Sequence, residues 1–164
     1  MAANRANIGW YIDNQIGGED DRITGKVYEK EVILTNAELK ALNTTAKELV
    51  VAPGSGKFIE FISAVLHLDY GSEVLTESAD NLDIEYDSGT GPAVCTTIEC
   101  TGFITASADQ VMLATALVLA GTTTAASTLN KNLVLLSNEG DFAGNASADT
   151  ILTVKVMYRV HDFS

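Results

Sequence analysis

From Lys57 to Tyr70 the chain runs through its longest apolar stretch, and that stretch is apolar on both parities of an extended strand. Phe58, Ile62, Ala64, Leu66, Leu68 and Tyr70 fall on one side, and Ile59, Phe61, Val65 and His67 on the other. Successive side chains of a strand point to opposite faces, so a strand apolar on both faces has to be covered on both. The stretch predicts a central sandwich strand whose outer face meets a partner subunit, with Ile59 and Phe61 as candidate contact residues.

Shorter β-type runs surround it. Lys26 to Leu34 is rich in β-branched and aromatic residues, and Thr35-Asn36 offers an N-cap to one helical turn, Ala37 to Leu42, with Glu38 near its start. Ala46 to Ala52 reads as a strand stopped by the turn Pro53-Gly54-Ser55-Gly56. Asn81 to Asp87 alternates, with Leu82, Ile84 and Tyr86 on one face and an acidic stripe of Asp83, Glu85 and Asp87 on the other. Ala93 to Ile104 and Asn132 to Ser137 read as further strands. Gln110 to Ala120 is short enough for a strand and rich enough in Ala and Leu for a helix, so both remain open. The closing run Thr150 to Val160 places Leu152, Val154, Val156, Tyr158 and Val160 on one side. Roughly seven to nine strands at ten-residue spacing, with small polar turns and one or two short helices, predict an all-β, jelly-roll-like antiparallel β-sandwich.

The first 25 residues stand apart from this pattern. They hold the only Trp, an acidic cluster at Glu19-Asp20-Asp21, and an apolar group with no sustained period. The expectation is an extended N-terminal arm over residues 1–25 preceding a sandwich domain over 26–164. An aromatic on such an arm is ordered at an entropic cost unless something receives it. Ile8, Trp10, Tyr11, Ile12 and Ile16 are therefore further candidate contacts to another subunit or to a larger assembly.

Composition excludes several classes. A chain of 164 residues can bury roughly 70% of its unfolded surface, so it needs neither disulfides nor a metal to fold. The net charge of −12 repels a phosphate backbone, which argues against nucleic-acid binding. No apolar run approaches the roughly 20 residues of a membrane-spanning helix, and Met1 to Asp21 has neither the basic start nor the apolar centre of a signal peptide. The expected protein is soluble and folded in a cytosol. Cys95 and Cys100 are five apart on an expected strand, on opposite faces, and so are read as free thiols.

The chemistry-bearing patterns are weak. Pro53-Gly54-Ser55-Gly56-Lys57 resembles a phosphate loop, but Val51 and Phe58 stand where the first Gly and the magnesium-binding hydroxyl belong. Asp83, Glu85 and Asp87 would stand nearly 7 Å apart along one strand and diverge from a single ion. The loop over residues 138–149 is a looser calcium candidate. His67 and His161 lie in no nucleophile-elbow or His-Glu-x-x-His context. The sequons Asn43-Thr44-Thr45 and Asn145-Ala146-Ser147 matter only in a secreted eukaryotic protein. The residues predict no catalytic group, no metal site and no cofactor, hence a protein that is not an enzyme.

Several segments together carry a resemblance. They are Val32 to Leu42 running into Glu48 to Lys57, then Ala64 to Gly71, Asn130 to Leu136 and Leu152 to Val160. In these patches the chain resembles small virion structural proteins of tailed bacteriophages, of the capsid decoration (cement) or head-fibre type. The resemblance implies a sandwich that binds a procapsid or mature shell, with the major capsid protein as partner and a homo-oligomer, a trimer, as its state. It also implies a place on the capsid surface of the virion, reached from the host cytoplasm during assembly. The related sequences often begin nearer to residue 26, so the arm lies outside the resemblance. A tail or head-fibre base protein and a carbohydrate-binding sandwich are the competing roles for the same fold.

Overall fold

The computed structural model describes residues 26–78, 80–87 and 90–164. The arm expected over residues 1–25, with its candidate contacts Ile8, Trp10, Tyr11, Ile12 and Ile16, lies outside them.

In chain order the elements are β1 (Val27–Leu34), α1 (Asn36–Lys40), β2 (Lys47–Val50), β3 (Lys57–Asp69), β4 (Leu75–Thr76), β5 (Asn81–Tyr86), β6 (Ile98–Glu99), β7 (Gln110–Thr115), α2 (Ala125–Thr128), β8 (Leu133–Ser137), β9 (Ala143–Gly144) and β10 (Ile151–Asp162). Two four-stranded antiparallel sheets form, one in the order β1-β10-β3-β7 and the other β2-β8-β5-β6, with β4 and β9 pairing separately. Apart from β5 and β6, which are paired within one sheet, the strands of the two sheets alternate along the chain, and the last strand returns between the first and third, the double Greek key of a jelly roll. The all-β sandwich with two short helices follows the sequence expectation.

Local chemistry accounts for the ends of α1. The Thr35 backbone N–H donates to Glu38 Oε2 at 2.9 Å, and the Glu38 N–H donates back to Thr35 Oγ1, closing a capping box. Glu38 also pairs with Lys47, which first, with the Thr35 bond second, pulls its carboxyl down to about 2. Leu39 and Leu42 face inward from this corner and are buried.

The core lies between the inward parities of the sheets. Leu34, Leu66, Leu68, Val154 and Val156 from one sheet meet Leu82, Ile84, Leu133 and Leu135 from the other. The ambiguous Gln110–Ala120 run is strand over Gln110–Thr115 and irregular beyond Ala116, because Ser63 to Leu68 of β3 pairs with its first part, Ala64 opposite Ala114 and Leu66 opposite Met112. Pairing across the sheet overrides the helix propensity of Ala and Leu.

Two expectations are corrected. The Ala93–Ile104 run forms only the two-residue β6 and isolated bridges at Ala93 and Cys95. Beyond β6 the chain turns, with the amides of Phe103 and Ile104 both donating to Cys100 O, and both side chains are buried. The second correction concerns β3. Met157 pairs with Ser63, but Tyr158 pairs with Phe61, so Ile62 is an extra residue in the ladder. Such a bulge shifts side-chain parity by one. Ile59 and Phe61 therefore point the same way as Ala64, Leu66 and Leu68. The strand that reads as apolar on two faces has one apolar inward face interrupted by a bulge.

Candidate assembly surface

The bulge moves two of the proposed contact residues inside. Ile59 is 0% exposed and Phe61 5%, and both pack in the core of their own chain. As side chains facing a partner they are corrected. Tyr86, on the facing sheet, locks the position by donating its hydroxyl to Ile59 O, and its burial raises the phenol well above its ordinary range.

Other residues of the same sheet occupy the outward positions. On β3 these are Ser63, Val65, His67 and Asp69, with the last three exposed; on β7 they are Val111, Leu113 and Thr115. The register sets Val65 beside Leu113 and His67 beside Val111. Val111 is 67% and Leu113 63% exposed. Between the Ser63–Thr115 and His67–Val111 rows this two-strand face carries no carboxylate and no Lys or Arg. The face continues across the sheet with mixed character, through Thr153, Lys155 and Met157 of β10 to Glu29, Glu31 and Ile33 of β1, where Lys155 Nζ lies 3.1 Å from Glu31 Oε2. The ambiguity of the Gln110–Ala120 run concealed this surface: as a helix, Val111 and Leu113 would not share one face.

The outer face of the second sheet has the opposite character. Glu48 and Glu85 flank Val134 in one cross-strand row, and Asp83 lies beside Leu136 in the next. These acids are engaged in the fold. Asp83 is buried and accepts from Asn138 Nδ2 at 2.9 Å, Asn132 Nδ2 donates to Glu48 at 3.0 Å, and Lys131 Nζ lies 2.6 Å from Asp87 Oδ2. Partial burial first, and Asp83 second, push the Glu85 carboxyl up from its ordinary value.

The remaining sequence candidates also have structural tasks. Gly54 and Gly56, at φ +105° and +73°, make the turn into β3, with Lys57 N–H donating to Gly54 O. Asp141 of the 138–149 loop accepts from the amides of Asn43 and Thr44, both at 3.0 Å, and from the Thr44 hydroxyl at 2.6 Å. These bonds, led by Thr44, hold its carboxyl below the usual range. His161 Nε2 lies 2.8 Å from Glu60 Oε2, while His67 is exposed on the outer face. Among the described residues no three His, Cys, Asp or Glu side chains cluster as metal ligands do, and no helix there is long and apolar enough to cross a membrane.

In the sequence Asn145 stands out only as a sequon and as part of the 138–149 calcium candidate. Its side chain is 2% exposed. Nδ2 lies within hydrogen-bond distance of Glu73 O, Asp149 Oδ1 and Thr150 Oγ1, at 2.6, 2.9 and 3.1 Å. Oδ1 accepts from Asn36 Nδ2 and the Asp149 amide, both at 3.0 Å. The amide group is thus a packed structural hub with no room for a glycan.

Cys95 and Cys100 are free and buried. Desolvation pushes their thiols up to about 11 and about 12, respectively. A thiol reagent at neutral pH is expected to leave both unlabelled in the folded protein and to label both after denaturation. Rapid labelling of either in the native state would contradict the packing.

No protein-family profile and no curated protein matches the chain. Among solved structures, it is similar to a chain of the cyanophage Pam1 capsid asymmetric unit at 17% identity and TM-score 0.44, covering 82% of this chain and 83% of that one. It is similar to a chain of the Ralstonia phage GP4 capsid at 15% identity and TM-score 0.42, covering 86% and 88%. A chain from a native-like genome-containing particle of DWV in acidic pH matches at 11% identity and TM-score 0.29, covering 85% and 77%. Likenesses this loose transfer no role to the present chain.

Proposed function

We propose that this chain is a bacteriophage virion structural protein, a capsid decoration (cement) protein that binds the shell formed by the major capsid protein and stabilises it. The observation that carries the reading is the uncharged apolar face of β3 and β7 on a chain of net charge −12. A contiguous apolar patch on an otherwise acidic surface fits protein–protein contact, whose centre is depleted of charge. The sequence resemblance to phage virion proteins supplies the partner and the place, the outer surface of the capsid. It also supplies the state, a homo-oligomer, with a trimer as the expected number. In this reading Ile8, Trp10, Tyr11, Ile12 and Ile16 make the reach to a neighbouring subunit or the shell.

Deleting residues 2–20 tests the reading. Co-sedimentation with assembled shells is expected to show at least about a tenfold loss of apparent affinity, while the thermal midpoint and circular dichroism of the sandwich stay unchanged. Unchanged occupancy on shells would reject the clamping role of the segment. Failure of the full-length protein to bind shells at all would reject decoration.

A further inference from the structure

We propose that a second copy of this chain covers the β3–β7 face and the outer edge of β7, so that Val65, Val111 and Leu113 lie between subunits. The inference deepens the assembly reading above and rests on it.

The edges of the two main sheets differ in a way that singles out β7. An edge strand offers unpaired N–H and C=O groups, and proteins blunt such edges with charges, proline, bulges or very short strands. β1 carries Glu29, Lys30 and Glu31; β2 carries Lys47 and Glu48; β6 is two residues long and includes Glu99. β7, Gln-Val-Met-Leu-Ala-Thr, has no charge, no Pro and no Gly, and among the described residues it pairs along its length with β3 alone. Its outer edge and its outward side chains therefore form one unprotected apolar corner.

Charge selects the occupant. Between the Ser63–Thr115 and His67–Val111 rows a basic partner finds no carboxylate and an acidic partner no Lys or Arg; the bordering charges are Asp69 at the end of β3 and Lys155 beside Val65, the latter paired with Glu31. A second copy brings the same side chains, so its Val111 and Leu113 pack against their counterparts with neither element left unsatisfied. Two chains of charge −12 repel each other. Joining them through a region free of carboxylates keeps the acidic face of the second sheet on the far side of each subunit. At physiological salt that distance exceeds the ~8 Å over which such repulsion is felt.

Light scattering on the full-length protein and on the double variant Val111→Lys/Leu113→Lys tests this. The wild type is expected at a mass above that of one 17.4 kDa chain, as a whole number of two or more copies, and the double variant at the monomer mass with an unchanged circular dichroism spectrum. If the double variant does not fold, Val65→Lys on the neighbouring strand takes its place, with the same expected loss of mass. A monomeric wild type overturns the proposal, as does a folded variant of wild-type mass. Shell co-sedimentation of the same proteins separates this inference from the reading beneath it. A variant that keeps its oligomer but loses the shell assigns the face to the shell protein, overturning the copy contact while sparing decoration. A wild-type oligomer that the substitutions break, but that never binds shells, upholds the copy contact and removes decoration.

Discussion

Ile59→Asp is expected to leave the chain unfolded, with the native β signal in circular dichroism lost and a denaturant midpoint that is no longer measurable. Ile59 is wholly buried and its carbonyl accepts the Tyr86 hydroxyl at the centre of the sandwich. The substitution removes roughly 1.5–3 kcal/mol of side-chain burial. It also places a carboxylate in the apolar core, at an effective cost of several kcal/mol more. Domains of this size have only about 5–15 kcal/mol in hand. Val65→Asp, on the outward parity of the same strand, is expected to keep the native β signal, its effect confined to the contact between copies. A folded Ile59→Asp protein whose only change is in oligomer mass would mean that β3 presents Ile59 outward after all, against the bulge at Ile62. Deleting Ile62 sharpens the contrast. It brings Phe61 directly next to Ser63, the regular ladder places both as they now stand, and the inward set Ile59, Phe61, Ala64 and Leu66 is retained.

Asn145→Ala is expected to cost about 2–4 kcal/mol, read as a fall in denaturant midpoint at unchanged slope. Two effects add. The backbone sits at φ +42°, a left-handed conformation that Asn tolerates and that costs Ala about 1 kcal/mol. The loss of the amide then leaves the buried Asn36 Nδ2 without its partner, at about 1–3 kcal/mol for the unsatisfied group, while Thr150 Oγ1 keeps the Gly71 amide at 3.2 Å. The same amide holds the 138–149 loop to Glu73 O and Asp149, beside Gly71, where an added Cβ would stand 1.9 Å from Asp149 Oδ1. A loss below about 1 kcal/mol would show that the loop relaxes around the deletion and that the hub is not what anchors it. The double variant with Asn36→Ala, compared with the two single variants, isolates the Asn36–Asn145 contribution.

Much of the fold was legible because the relevant physics is local. Leu152, Val154, Val156 and Tyr158 alternate without interruption, and so do Leu82, Ile84 and Tyr86, and both runs form strands with those residues inward. The Thr35–Glu38 capping box could be read from four consecutive residues. The candidate contacts on β3 could not be read correctly, since a bulge leaves no mark in composition and shows only when β10 is laid against the strand. The helix-or-strand ambiguity of Gln110–Ala120 had the same origin.

What the sequence by itself determined is the class of the protein: alternating runs and small polar turns yield antiparallel sheets, and an excess of acids over bases makes the net charge −12. Which apolar residues are core and which are surface was decided only by tertiary structure. Parity along a strand is a local property, whereas the register that assigns each parity to a face depends on partners far away in the chain. Tyr158 across from Phe61 sent Ile59 and Phe61 inward, and β3 alongside β7 turned Val111 and Leu113 outward. The contact surface proposed for this molecule is where those two long-range pairings leave apolar side chains on the outside.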